Sequence, residues 1–161
     1  MVERRILGPE EGELYEDERA CGDRFLIDSR DRGGRFALVE HRLPPKVLAA
    51  PVHKHTREDE FSFILAGSVG ARFGAEEVVA RAGDLVFKPR DEWHTFWNAG
   101  DTPARLLEII SPGGLEELFR WFDRLKDGPS PEVMEQKAGL YGCSVDLEAT
   151  MALVARHHLV F

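Results

Sequence analysis

Three things are scarce in this sequence: paired cysteines, basic charge and long apolar runs. Cysteine occurs twice in 161 residues, at Cys21 and Cys143, with no C-x-x-C spacing. That leaves no disulfide framework or four-thiolate zinc site, and the two thiols read as buried small hydrophobes or thiols of a reducing compartment. Lysine and arginine number 21 against 29 acids, for a net charge of −8. Nucleic acid is therefore not expected as a partner, since phosphate binding needs a cationic surface. The longest charge-free run, Phe61 to Ala71, falls far short of the ~20 apolar residues of a membrane helix. No membrane partner is expected either. Arg4 and Arg5 are followed only by Ile6 and Leu7, which is not a secretory pattern. These scarcities together describe a single cytoplasmic domain, long enough to bury a core of its own.

What is present changes character twice along the chain. Residues 1–23 read as an N-terminal arm, because Pro9 to Glu18 carries six acids and few apolar anchors. Residues 24–112 hold short runs of branched and aromatic residues: FLID, RFALVEHRL, FSFIL, EVVA, DLVF, HTFW and ARLLEII. Turn residues such as Gly67, Gly74, Gly83 and Pro89 separate them, and this spacing predicts an all-β antiparallel sandwich or barrel. Residues 113–161 switch to a helical period. Leu115, Leu118, Phe119, Phe122 and Leu125 share one face of a first helix, with Lys126 in its last turn and Asp127-Gly128-Pro129 ending it. Ser130 and Pro131 open a second helix that Gly139 closes, and Asp146 caps a third carrying Leu147, Met151 and Val154. This tail is expected to pack on the barrel or on a partner subunit.

The chemistry concentrates in two segments, HKHTREDEFSFILAG from His53 and GDLVFKPRDEWHTFWN from Gly83. On an extended strand His53 and His55 point to one side. Glu60 follows at a distance a turn can span, and His94 is a third imidazole within an apolar run. Three neutral imidazoles and a carboxylate suit a divalent first-row metal and can leave coordination positions open. Glu58 and Asp59 read as a solvated charge run. Strand parity places Glu60, Ser62 and Ile64 on one face with Phe61, Phe63 and Leu65 opposite, and aligns His94 with Phe96 and Asn98.

These segments resemble the two sequence motifs of the cupin superfamily. His53, His55, Glu60 and Gly67 meet the first, and Gly83, Pro89, His94 and Asn98 meet the second. Val47 and Asp91 stand where the motifs carry glycine, at turn positions. The resemblance implies a double-stranded β-helix (a jelly-roll barrel) with a C-terminal helical extension. It also implies His53, His55, Glu60 and His94 as ligands of one divalent transition metal per chain: Fe, Mn, Ni, Co, Cu or Zn. Ile64, Phe87, Phe96 and Phe36 would then line a substrate pocket, and Trp93 and Trp97 flank the last ligand.

The wider run is similar to bacterial single-domain cupins grouped with quercetinase-like dioxygenases. That likeness implies a small hydroxylated aromatic substrate and dioxygen, with Glu60 taking the substrate's hydroxyl proton. The alternatives are a non-redox metal-dependent isomerase or cyclase, or a non-catalytic small-ligand-binding cupin. Barrels of this family often pair through a sheet edge, so a homodimer is expected. Arg105 and Glu108 read as a salt bridge, His41 as a core residue, and His157 and His158 as the end of the last helix.

Overall fold

Side-chain alternation sorts the strands of this chain into an inside and an outside. The structure, a computed structural model, describes residues 6–16, 20–125 and 128–161. Its described strands are β1 (Glu13–Tyr15), β2 (Gly22–Ile27), β3 (Ala37–Leu43), β4 (Val52–His55), β5 (Asp59–Ala66), β6 (Ser68–Phe73), β7 (Glu76–Arg81), β8 (Leu85–Lys88), β9 (His94–Asn98), β10 (Ala104–Ser111) and β11 (Cys143–Asp146). They form two antiparallel sheets, ordered β1-β2-β3-β10-β5-β8 and β11-β4-β9-β6-β7. From β5 onward the chain passes between the sheets, β6, β7 and β9 lying in one and β8 and β10 in the other. This is the expected jelly-roll barrel.

Parity holds along each inner wall. Glu60, Ser62 and Ile64 are buried on β5, while Phe63 and Leu65 face out. Leu106, Glu108 and Ile110 are buried on β10, and Val86 and Lys88 on β8, with Leu85 and Phe87 exposed. Leu43, Ile64, Val69, Val86, Phe96 and Leu106 pack together inside. Each fully buried aliphatic side chain there contributes about 1.5–3 kcal/mol.

Residues 13–15, read from sequence as arm, pair with β2 instead. Their acids have partners: Glu13 meets Arg120 at 2.7 Å, and the buried Arg24 joins Glu40 at 2.9 Å and the Glu11 carbonyl at 2.8 Å. Two strands also escaped the sequence pattern. One is β6, whose SVGARF is interrupted by Gly70, where a Cβ would collide with the Trp97 indole. The other is β11, which lines up against β4 with Cys143 opposite His55.

Three helices complete the described chain: α1 (Glu116–Asp123), α2 (Pro131–Leu140) and α3 (Leu147–His157). The expected caps are in place, Val133 N–H donating to Ser130 Oγ and Ala149 N–H to Asp146 Oδ1. Leu115 and Leu118 pack against Phe25, Val39 and Ile110. Leu153 and Leu159 cover Trp97 and Leu48. The tail therefore packs on its own barrel, and both faces of β9 are buried. α1 is shorter than its apolar period suggests, with Arg124 as its cap. Lys126 and Asp127 lie outside the described residues. No helix among the described residues is long and apolar enough to cross a membrane.

Candidate metal centre

Pairing of β4 with β9 sets His53 directly opposite His94. Their ring centroids are 4.5 Å apart, and those of His55 and His94 are 4.9 Å apart. Glu60 enters from β5 in the facing sheet, with Oε2 at 3.5 Å from Nε2 of both His55 and His94. The donor atoms of all four residues lie within 4.8 Å of one another. A first-row ion at about 2.0–2.2 Å from each donor spaces neighbouring donors about 3–3.5 Å apart, so the set fits with small adjustments.

The backbone chooses the tautomers. Nδ1–H of His53 donates to the Pro51 carbonyl at 2.8 Å, and that of His94 to the Glu92 carbonyl at 2.9 Å. Each ring then presents the lone pair of Nε2 toward the centre, the usual arrangement of a metal-ligating histidine. Nε2 of His94 and both ring nitrogens of His55 are buried without a hydrogen-bond partner. Such orphaned polar atoms cost free energy unless something binds them. Burial and the neighbouring His94 ring bring the His53 pKa down to about 3, so it is neutral and ready to ligate.

A buried cation stands behind the carboxylate. Lys88 lies across the ladder from Glu60, with Nζ 3.0 Å from Glu60 Oε2 and 2.7 Å from Glu108 Oε2. Ser62 Oγ–H donates to the same Glu108 oxygen at 2.6 Å. Burial would raise the Glu60 pKa, but Lys88 and the two histidines hold it well below the carboxylate range. Burial would likewise discharge Lys88, yet the two carboxylates raise its pKa. Burial and the charge on Glu60 raise the Glu108 pKa against the pull of Lys88.

The structure thus brings His53, His55, Glu60 and His94 together. Ile64 and Phe96 lie in the barrel core, with Lys88 Nζ 4.4 Å from the Phe96 ring centre. Phe87 is elsewhere: it is 49% exposed on the outer face and stacks on Phe61 at 4.9 Å. Phe36 is half-buried just before β3 and is not among the residues of the barrel core cluster. Trp97 is held beneath α3, and half-buried Trp93 lies under the Lys54 ammonium. Arg105 does not pair with Glu108. It faces outward to Glu40 at 2.8 Å, because residues 105 and 108 differ in strand parity. Two surface hollows, of about 360 and 540 Å³, lie away from the histidines, one beside Leu85 and Phe87, the other beside Arg42 and Pro103.

Sequence reasoning missed Lys88, Glu108 and Glu58. Parity was the available signal: Lys88 is two residues past Val86 and Glu108 two past Leu106. Glu58 sits two before Glu60, and it is buried rather than part of a solvated charge run. The two glycine departures are explained locally. Asp91 takes φ 65°, the left-handed geometry the replaced glycine would supply. At the first motif the left-handed residue is Lys46 (φ 63°), leaving Val47 buried.

Residues 39–110 match the family described as "Cupin domain". The chain is 33% identical over 60 residues to the tetracenomycin polyketide synthase protein TcmJ of Streptomyces glaucescens, covering 37% of this chain and 40% of that protein. It is 33% identical over 69 residues to an oxalate-binding protein of Thermotoga maritima, covering 43% of this chain and 56% of that protein. The matches thus span about half the length of these curated relatives. Among solved structures, a predicted oxalate decarboxylase from Thermotoga maritima superposes with a TM-score of 0.62 at 22% identity, over 68% of this chain and 100% of that one. Residues 39–110 are thus similar to cupin domains in sequence, the barrel shares its fold with that structure, and its histidine–glutamate cluster could hold a metal.

Proposed function

We propose that the chain is a metal-dependent dioxygenase acting on a small hydroxylated aromatic substrate. The carrying observation is the set of inward-facing, orphaned imidazole nitrogens beside an ionised Glu60. A divalent ion held there by His53, His55, Glu60 and His94 would acidify a hydroxyl group and engage dioxygen. The protein's own share is positional. Glu60 is the base within reach of that hydroxyl, and Lys88 fixes its carboxylate and keeps it ionised. Phe96 and Ile64 supply the flat apolar wall an aromatic ring requires.

A second reading, a non-redox isomerase or cyclase or a simple ligand-binding barrel, draws support from the relatives. One is named for a polyketide synthase and the other for oxalate binding, and neither name describes an oxidation. For assembly we propose a homodimer. Phe63, Leu65, Leu85 and Phe87 form an exposed apolar strip at the β8 edge, which a second copy would cover.

The test is metal analysis of tag-free protein, then oxygen uptake by each metal-reconstituted form with flavonols and simpler polyphenols. Substrate-dependent uptake abolished by Glu60→Gln supports the dioxygenase. Full metal loading without uptake for any substrate replaces it with the second reading.

A further inference from the structure

The barrel contains another cluster of ligand-type side chains, at the junction of β2, β3 and α1. Cys21 immediately precedes β2 and Asp23 lies on it, while His41 projects from β3, whose register places it opposite Asp23. His41 Nδ1 is 2.6 Å from Asp23 Oδ1. Cys21 Sγ is 3.5 Å from the same oxygen and 3.7 Å from the same nitrogen. Around a tetrahedral zinc ion, with metal–sulfur bonds of about 2.3 Å and metal–nitrogen or –oxygen bonds of about 2.0 Å, sulfur sits roughly 3.5 Å from its fellow ligands. Both sulfur distances already have that value. Only the nitrogen–oxygen pair must open, by roughly 0.7 Å, from a hydrogen bond to a shared coordination edge.

The surroundings favour a cation. The His41 ring is walled by Phe96 at 5.5 Å and Phe119 at 5.6 Å, which excludes water. Asp123, at the end of α1, has Oδ2 buried without a hydrogen-bond partner. Burial and the Asp23 charge push its pKa up to about 8, and burial and Asp23 hold the Cys21 thiol well above its ordinary range. A divalent ion would lower both, since it stabilises thiolate and carboxylate.

We propose that Cys21, Asp23 and His41 form a second metal site, for a zinc-like divalent ion, separate from the histidine centre. It differs from that centre in one chemically readable respect, the sulfur ligand. The ion would tie β2 to β3 beneath α1.

The experiment is titration of metal-free, full-length protein with cobalt(II), read in the near ultraviolet, where only thiolate ligation gives strong charge-transfer absorption. Expected is a thiolate–cobalt band saturating at one ion per chain. The band should persist in His53→Ala/His94→Ala, be lost in Cys21→Ser, and survive Cys143→Ser. Absence of the band in the unmodified protein overturns the proposal, whatever the fate of the variants. So does a band that survives Cys21→Ser. Failure of the histidine centre would show separately, as loss of the sulfur-free cobalt absorption.

Discussion

The ammonium of Lys88 is 1% exposed and shared by two glutamates. Breaking a buried pair leaves uncompensated charge and costs about 3–5 kcal/mol. In Lys88→Met the carboxyls of Glu60 and Glu108 would titrate above their unfolded values, so stability is lost as pH rises through those values. Urea unfolding is expected to show the full loss at pH 8 and a smaller one at pH 5. An equal loss at both would mean that packing, not charge, explains the residue. The histidines give a second dependence. Burial would lower the His55 pKa, but Glu60 raises it, while that of His53 is brought down to about 3. Acidification therefore protonates His55 while His53 is still neutral. Below the His55 value metal affinity should fall about tenfold per pH unit, with a proton released on binding. Calorimetry in buffers of different ionisation enthalpy reads that proton directly. For the metal-free protein, the depressed His53 value means stability falling as pH drops from the ordinary histidine range toward 3, since only the unfolded chain takes up that proton.

At the scale of elements, the site is built by ladder register. β4 and β9 carry the three imidazoles, and β5 in the facing sheet carries the carboxylate. Gly70 on β6 secures the position of β9, because the Trp97 indole occupies the space a side chain would need. Gly70→Ala must displace that indole from beneath α3, and overpacking of this kind costs about 1–3 kcal/mol. A lowered thermal midpoint and a red-shifted Trp fluorescence are expected; an unchanged midpoint would show that β9 tolerates the shift. The three histidines, Glu60 and its strand face were legible because alternation needs no tertiary information. Lys88 and Glu108 obey the same rule, yet lysine and glutamate read as solvated until the partner strands are known. Phe87 was assigned to the pocket by aromatic character, whereas strand parity turns it out.

For the whole molecule, the helical tail packs against elements of both sheets and leaves the β8 edge open. Phe63, Leu65, Leu85 and Phe87 are each at least 36% exposed there. In the proposed homodimer these side chains meet their copies, so Phe87→Asp should yield monomers by analytical ultracentrifugation. Metal content should stay unchanged, because Phe87 lies outside the barrel. A wild-type monomer at all concentrations would remove the dimer and leave this strip to another partner.

What the sequence by itself determined was the class of fold, the helix caps and the four ligand-type residues of the histidine centre. These follow from local rules: strand parity, capping chemistry and motif spacing. Only the tertiary structure decided that residues 13–15 join a sheet and that the tail packs on its own barrel. It alone set a lysine between two buried glutamates, and Cys21 and Asp23 beside His41. Each of those results depends on which strand lies beside which. That adjacency comes from burying the summed apolar surface of many segments at once, a quantity no single stretch of sequence carries.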